Sequence, residues 1–283
     1  MPLDRTDRII KLGAMMRCCN LPPAGRRPAG SLLLLVSGLA LLCAPAAADP
    51  VRDRASCLAR AEAAPDFALE EARLWQRQGG GNDALLCQAV ALLLRADWRP
   101  AAELFERVIP ALTGDGAAVR ANLWGRTALA WANAKEPERA AKALDRALDL
   151  APRDVELRLD RAVLAAGQER FWDALADLDA VLTAAPRRVD AHVLRAQVNR
   201  ALGQDSDAAR DVDRALALDP SAPQALLLRG SLRAERGDRE GARADWMQVG
   251  RIAGQGSFAQ AAAANLEALD ALEAQERKEG ARR

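Results

Sequence analysis

Apolar and polar positions along this chain return in register every 34 residues. Three apolar phrases, LDLAP, LTAAP and LALDP, close on Pro152, Pro186 and Pro220, and aligning the sequence on those prolines brings further columns into line. Counting a first unit from Ala121, position 20 reads Ala140, Ala174, Ala208 and Ala242. Position 24 reads Leu144, Leu178, Val212 and Trp246, and position 27 reads Ala147, Val181, Ala215 and Val249. A fixed period of this length predicts a helix-turn-helix solenoid, built from units that cannot bury their apolar faces alone. Small residues at 20 and 27 let two antiparallel helices approach, and the bulkier one at 24 fills the space between them. Proline at 32 stops the second helix, because it lacks the N–H and cannot continue the turn. No stretch alternates with period two and tyrosine is absent, so no strand is expected.

These columns resemble the tetratricopeptide repeat family, whose pattern has Trp at 4, Leu and Gly at 7 and 8, Tyr at 11, Ala at 20, Phe or Tyr at 24, Ala at 27 and Pro at 32. Unit 121–154 supplies Trp124, Trp131, Ala140, Leu144, Ala147 and Pro152 at matching places. Units 155–188 and 189–222 match mainly from position 20 onward. Unit 223–256 keeps Gly230 at 8 but has Gly254 for the proline, and an earlier unit, 82–115, fits through Ala89, Leu92, Trp98, Ala101, Phe105 and Val108. The resemblance implies an all-α, right-handed superhelical solenoid of antiparallel helix pairs, with five repeats over 82–256. About five residues exceed the period between Gly114 and Arg120, where a local loop is expected. Residues 49–81, interrupted at Pro65 and closing on Gly79-Gly80-Gly81, read as a divergent N-terminal hairpin. Residues 257–283 read as a capping helix and a frayed tail from Lys278. Ser257 is its expected N-cap, Leu266, Leu269 and Leu272 its apolar face, and Glu267, Asp270 and Glu273 its solvated one.

Residues 1–48 stand apart from the repeat. Arg26-Arg27, the apolar run Leu32 to Cys43 and then Ala44-Pro45-Ala46-Ala47-Ala48 form a secretory signal peptide, cut after Ala48 or Ala46, with Met15 or Met16 as alternative starts. The run is shorter than the about 20 residues a spanning helix needs. Pro28-Ala29 after the two arginines favours the general secretory route over the twin-arginine one. The expectation is therefore a periplasmic or secreted protein without stable membrane insertion. Without its leader the chain keeps 34 basic and 37 acidic residues, a net charge of −3, which gives no general attraction for nucleic acid. Three of the five cysteines leave with the leader. The remaining pair, Cys57 and Cys87, reads as one disulfide joining the first helices of neighbouring hairpins.

A second periodicity is charged. Arg161, Arg195 and Arg229 occupy position 7 of successive units, and Asp177, Asp211 and Asp245 occupy position 23. Base and acid recurring together, 16 residues apart, predict three ion pairs within hairpins rather than a cationic ladder for an anionic ligand. By the resemblance, positions 2, 5, 9, 12 and 13 of each first helix line a concave groove. Candidates there are Leu86, Val90, Leu93, Leu129, Leu159, Val163, Gln197, Arg200 and Leu227, apolar toward the N-terminus and mixed polar beyond. Leu86, Val90 and Leu93 could equally pack under the N-terminal hairpin. Trp98, Trp124, Trp131, Phe171 and Trp246 fall on core columns, as does the one histidine, His192, while Trp172 falls on an inter-helix turn and Trp75 has no assigned column. No metal-ligand spacing, nucleophile elbow or phosphate loop is present, so neither catalysis nor a cofactor is expected. The sequence thus reads as a non-catalytic scaffold for a protein or peptide partner of the cell envelope. The alternatives are a structural subunit of an envelope complex, using its convex face or ends, and more remotely an accessory subunit of an envelope enzyme.

Overall fold

A computed structural model describes residues 53–282. The expected signal peptide, its cleavage sites and its alternative starts lie outside the described residues. Thirteen α-helices and no strand occur among those described. Helices α1 (Arg54–Ala63) and α2 (Pro65–Arg77) form an N-terminal hairpin. The pairs α3 (Gly81–Leu94) and α4 (Trp98–Val108), α5 (Ala117–Asn133) and α6 (Pro137–Leu150), and α7 (Val155–Gly167) and α8 (Phe171–Ala184) follow. Then come α9 (Val189–Ala201) and α10 (Asp205–Leu218), α11 (Pro223–Glu235) and α12 (Arg239–Ala253), and a closing helix α13 (Ser257–Gly280). Each helix packs on its hairpin partner and on the helix that follows, giving an all-α solenoid of antiparallel pairs.

The helices keep the 34-residue period. Helices α7, α9 and α11 begin at 155, 189 and 223, and α8, α10 and α12 at 171, 205 and 239. Pro152, Pro186 and Pro220 each stand two residues beyond a helix end, where the missing N–H leaves nothing unsatisfied. The turn inside each pair passes through one left-handed residue at repeat position 15: Ala96, Lys135, Glu169, Gly203 and Gly237. Beside it a backbone bond five residues back closes the helix, as from Arg170 N to Ala165 O and from Gln204 N to Asn199 O. Only the last two units use glycine for the positive φ. The columns at 20, 24 and 27 are all buried, from Ala140 to Val249.

The expected loop at Gly114 to Arg120 is shorter than the spacing predicts. A 3-10 turn over Ile109–Ala111 continues α4, and α5 starts at Ala117, one turn early. Ile109 and Leu112 are buried, and of the expected loop a short, largely exposed turn over 113–116 remains. The capping helix also departs from expectation. Gly256 is its N-cap and Ser257 its first helical residue, and the helix runs on to Gly280 instead of fraying at Lys278. Leu269 is buried and Leu266 partly so, but Leu272 is 46% exposed. Asp270 is exposed, as expected, and Glu273 only partly so, but neither faces solvent alone. Both pair with Arg243 of α12 (2.6 and 3.2 Å), and Glu276 pairs with Arg239, fastening the cap to the last repeat.

At the other end Cys57 and Cys87 form a disulfide with Cα atoms 6.0 Å apart, tying α1 to α3. Trp75, which the sequence left without a column, packs beside this bond and over Gly80. Gly230 has a similar role in the last unit. A Cβ there would lie 2.4 Å from Trp246 Nε1, the group that donates to Leu227 O. Alanine in a helix interior normally gains about 1 kcal/mol over glycine. Here Gly230→Ala is expected to lose about 1–3 kcal/mol by overpacking. Urea midpoints measure the sign, and a stabilised variant would mean the indole has room to turn aside.

Candidate functional site

The first helices of successive units lie side by side, and polar bonds cross between them on one face. Glu156 of α7 pairs with Arg188, which also holds Asp190 of α9 (2.9 Å), and Arg200 of α9 reaches Glu235 of α11 with its Nε at 3.1 Å. The face is shallower than the sequence implied. Leu86, Val90, Leu93 and Leu159 are buried, each no more than 7% exposed, and cannot contact a ligand without the array opening. The first three belong to the same apolar cluster as Leu69 of α2. For Leu159 the cause is the neighbouring repeat: helix–helix packing consumes position 5 before any groove forms. What stays accessible is a narrower strip. Leu94 is 43% exposed, and Leu129, Ala132, Val163 and Gly167 are partly exposed. Gln197, Leu227 and Ser231 continue it, and Arg200 is exposed but already paired.

The charged columns meet inside each hairpin. Arg161 Nε and Nη2 donate to Asp177 at 2.7 and 2.9 Å. Arg195 holds Asp211 at 2.9 and 2.7 Å, and Arg229 holds Asp245 at 2.9 and 2.7 Å. All three aspartates are buried. The bidentate bond to its own aspartate is foremost in raising each of these guanidinium groups above the ordinary arginine value, against the opposing effect of burial. The array is also stitched between units, since Arg161 reaches back to Asp145 of α6 (2.9 Å) and Arg195 to Asp179 of α8 (2.7 Å).

Each carboxylate takes a second donor that the periodicity did not single out. Arg158 joins Asp177 at 3.0 Å, His192 and Asn199 join Asp211 at 3.2 and 3.3 Å, and Arg233 joins Asp245 at 2.8 Å. These residues occupy positions 4 and 11, which the resembled family fills with aromatic side chains. A polar residue in either column is the signal that could have found them. His192 is buried, as its column requires, but it is bonded rather than packed in hydrocarbon.

Unit 121–154 solves the same positions with aromatics. Trp131 is fully buried and donates to Glu106 at 2.9 Å, with the Arg139 guanidinium 3.4 Å from its ring centre, and Arg146 stands 4.7 Å from the ring of Trp124. Trp246 is buried, whereas Trp98 and Phe171 are only partly so. Trp172 is 66% exposed, but it is the second residue of α8 rather than part of the turn before it. Among the described residues no group of three or more His, Cys, Asp or Glu is placed to hold a metal ion, and no helix is long and apolar enough to cross a membrane. Every carboxylate in the ladder is occupied by donors. The arrangement ties the two helices of each hairpin together.

The tetratricopeptide repeat family matches residues 128–199. No curated protein is similar in sequence to the chain. Among solved structures, MamA from Desulfovibrio magneticus RS-1 (residues 41 to its end) superposes with a TM-score of 0.53 at 19% identity, over 64% of this chain and 94% of that one. YrrB, described as a TPR protein with an unusual peptide-binding site, superposes with a TM-score of 0.52 at 18% identity, over 62% and 90%. At these identities the likeness speaks for the fold.

Proposed function

Since this chain is a tetratricopeptide-repeat protein, an architecture that serves protein interaction, we propose that it is a non-catalytic scaffold exported from the cytoplasm. Its ligand is an extended or helical segment of another envelope protein, laid along the first helices. One observation carries this reading: the strip from Leu94 through Leu129, Ala132 and Val163 to Gln197 is apolar, small-residue-lined and partly open at one end, and polar at the other. Such a surface accepts apolar side chains and orients them by hydrogen bonds further along. That YrrB, of similar fold, is described as having a peptide-binding site supports a peptide ligand here. The leader and the Cys57–Cys87 disulfide support export. The solvent-facing Trp172 favours a second reading, contact through the edge formed by the inter-helix turns.

A photo-crosslinking amino acid placed at Leu129 or Val163 in intact cells is expected to capture one shared partner, and at Lys142 on a second helix none. Val163→Glu should cut the Leu129 crosslink about tenfold or more, by setting a carboxylate against an apolar segment, and leave the melting curve unchanged. The captured chain should have the mass of a protein beginning near Asp49. Capture from Trp172 alone would move the contact to the turn edge, and a retained leader would refute export.

A further inference from the structure

We propose that the edge where the turns of units 121–222 meet their second helices docks a basic segment of a protein partner, anchored on Trp172. The proposal rests on the second reading above, contact through that edge, and adds the chemistry of what is bound. Helix α8 turns Ala174 and Leu178 into the core with Phe171 packed against them, and this register leaves Trp172 facing outward. No other large apolar side chain among the described residues is as exposed. Repeat position 18 is otherwise polar, with Arg99, Glu138, Ser206 and Glu240. A rigid indole on such a surface has no packing role within the fold, and rings of this kind carry much of the binding energy at protein interfaces.

The chain itself shows what covers two of its other indoles. In unit 121–154 the Arg139 guanidinium stands 3.4 Å from the ring centre of Trp131, and Arg146 stands 4.7 Å from that of Trp124. Among the described residues no cation takes that place over Trp172. Arg170, two residues before the ring, is paired with Asp173 at 3.5 Å. The face of a tryptophan attracts a guanidinium or ammonium group, and here it is open to one from outside.

The surrounding charge selects the same ligand. Glu138 accepts from Gln168 of the next unit at 3.5 Å, which sets position 18 of one unit beside position 14 of the next. By that register Leu202 of the following unit lies beside Trp172, and Asp205 follows in the same turn. Acids therefore stand along the array on both sides of the ring, with Glu169 in its own turn. Glu136, Asp173 and Asp207 are already paired, with Arg99, Arg170 and Arg210. Glu138, Glu169 and Asp205 are exposed, and among the described residues none of them has an ion-pair partner. Against these three the turn of unit 121–154 sets Lys135, so the edge keeps a surplus of two negative charges. An extended segment carrying Arg or Lys meets both demands, one cation over the indole and its neighbours beside the carboxylates. Such contacts are solvent-exposed, so their strength falls with salt.

Fluorescence anisotropy of a labelled octa-arginine peptide against the full chain tests the assignment. Its dissociation constant is expected to rise about fivefold in Trp172→Ala and in Glu169→Lys, and to rise further with added salt. Both substitutions fall on exposed positions, and Lys135 already holds the place of Glu169, positive φ included, in unit 121–154. No binding, binding that neither substitution alters, or octa-glutamate bound as tightly would overturn the proposal. A photo-crosslinking amino acid at position 172 in intact cells separates it from the reading it rests on. Capture of a partner segment lacking Arg and Lys would keep the contact and overturn the basic ligand, and no capture would overturn both.

Discussion

Asp245→Ala is expected to destabilise the C-terminal part of the array by about 2–4 kcal/mol, at or just below the lower end of the range for breaking a buried ion pair. The carboxylate is 2% exposed and accepts three hydrogen bonds, two from Arg229 and one from Arg233. Arg233 would keep the Gly241 carbonyl at 3.3 Å, but Arg229 would retain no hydrogen-bonded acceptor, with Asp213 acting on it only through space. The loss stays below the full cost of an orphaned buried charge because the two guanidinium groups are 28% and 36% exposed and can draw water. For a chain of this size it corresponds to roughly 5–10 °C in melting temperature. The double variant Arg229→Leu/Asp245→Ala should recover much of that, since a buried pair replaced by apolar packing is often neutral. Unit 121–154 already lives without the pair, with Thr127 and Ala143 buried in its place. An Asp245→Ala chain that melts with the wild type would show that the ladder decorates the hairpins and does not hold them.

Replacing Cys57 or Cys87 by serine, or reducing the bond, is expected to cost about 3–4 kcal/mol for a closed loop of this length in the chain-entropy model. The two residues are 30 apart, and both are fully buried. The effect should be confined to α1 and α2. A repeat array transmits stability through neighbours only, and this hairpin has a neighbour on one side. Without the bond, α1 is tied down by Arg54 to Asp83 and Asp115, by Arg60 to Glu71 and by Ala61 in the core. Hydrogen exchange should therefore accelerate first in α1 and α2, while α7 to α12 keep their protection. Uniform acceleration along the chain would mean that the array unfolds as one cooperative unit. Because the hairpin covers Leu86 and Val90, its release would also bare apolar surface and promote association.

Some features could be read before any coordinates and others could not, for identifiable reasons. The columns at 20, 24 and 27 were legible because every unit meets the same neighbours, so one packing requirement repeats in the sequence. The Arg161, Arg195 and Arg229 series was legible for the same reason. Arg158, His192, Asn199 and Arg233 were not, because two alternative columns supply one need and neither is periodic. Leu159 shows the converse failure: a position assigned to a groove by register is consumed by the side chain's own contacts across the helix interface. Glu273 misleads similarly, since an acidic stripe looks solvated until Arg243 is seen opposite it.

The 34-residue pattern by itself determined the helix pairs, their stops and the columns that face inward, because short-range propensity and periodic burial act within a single unit. Tertiary structure alone decided how deep the first-helix face lies and which donor completes each buried aspartate. Those outcomes depend on the distance between two neighbouring surfaces, a quantity that no one-dimensional pattern carries.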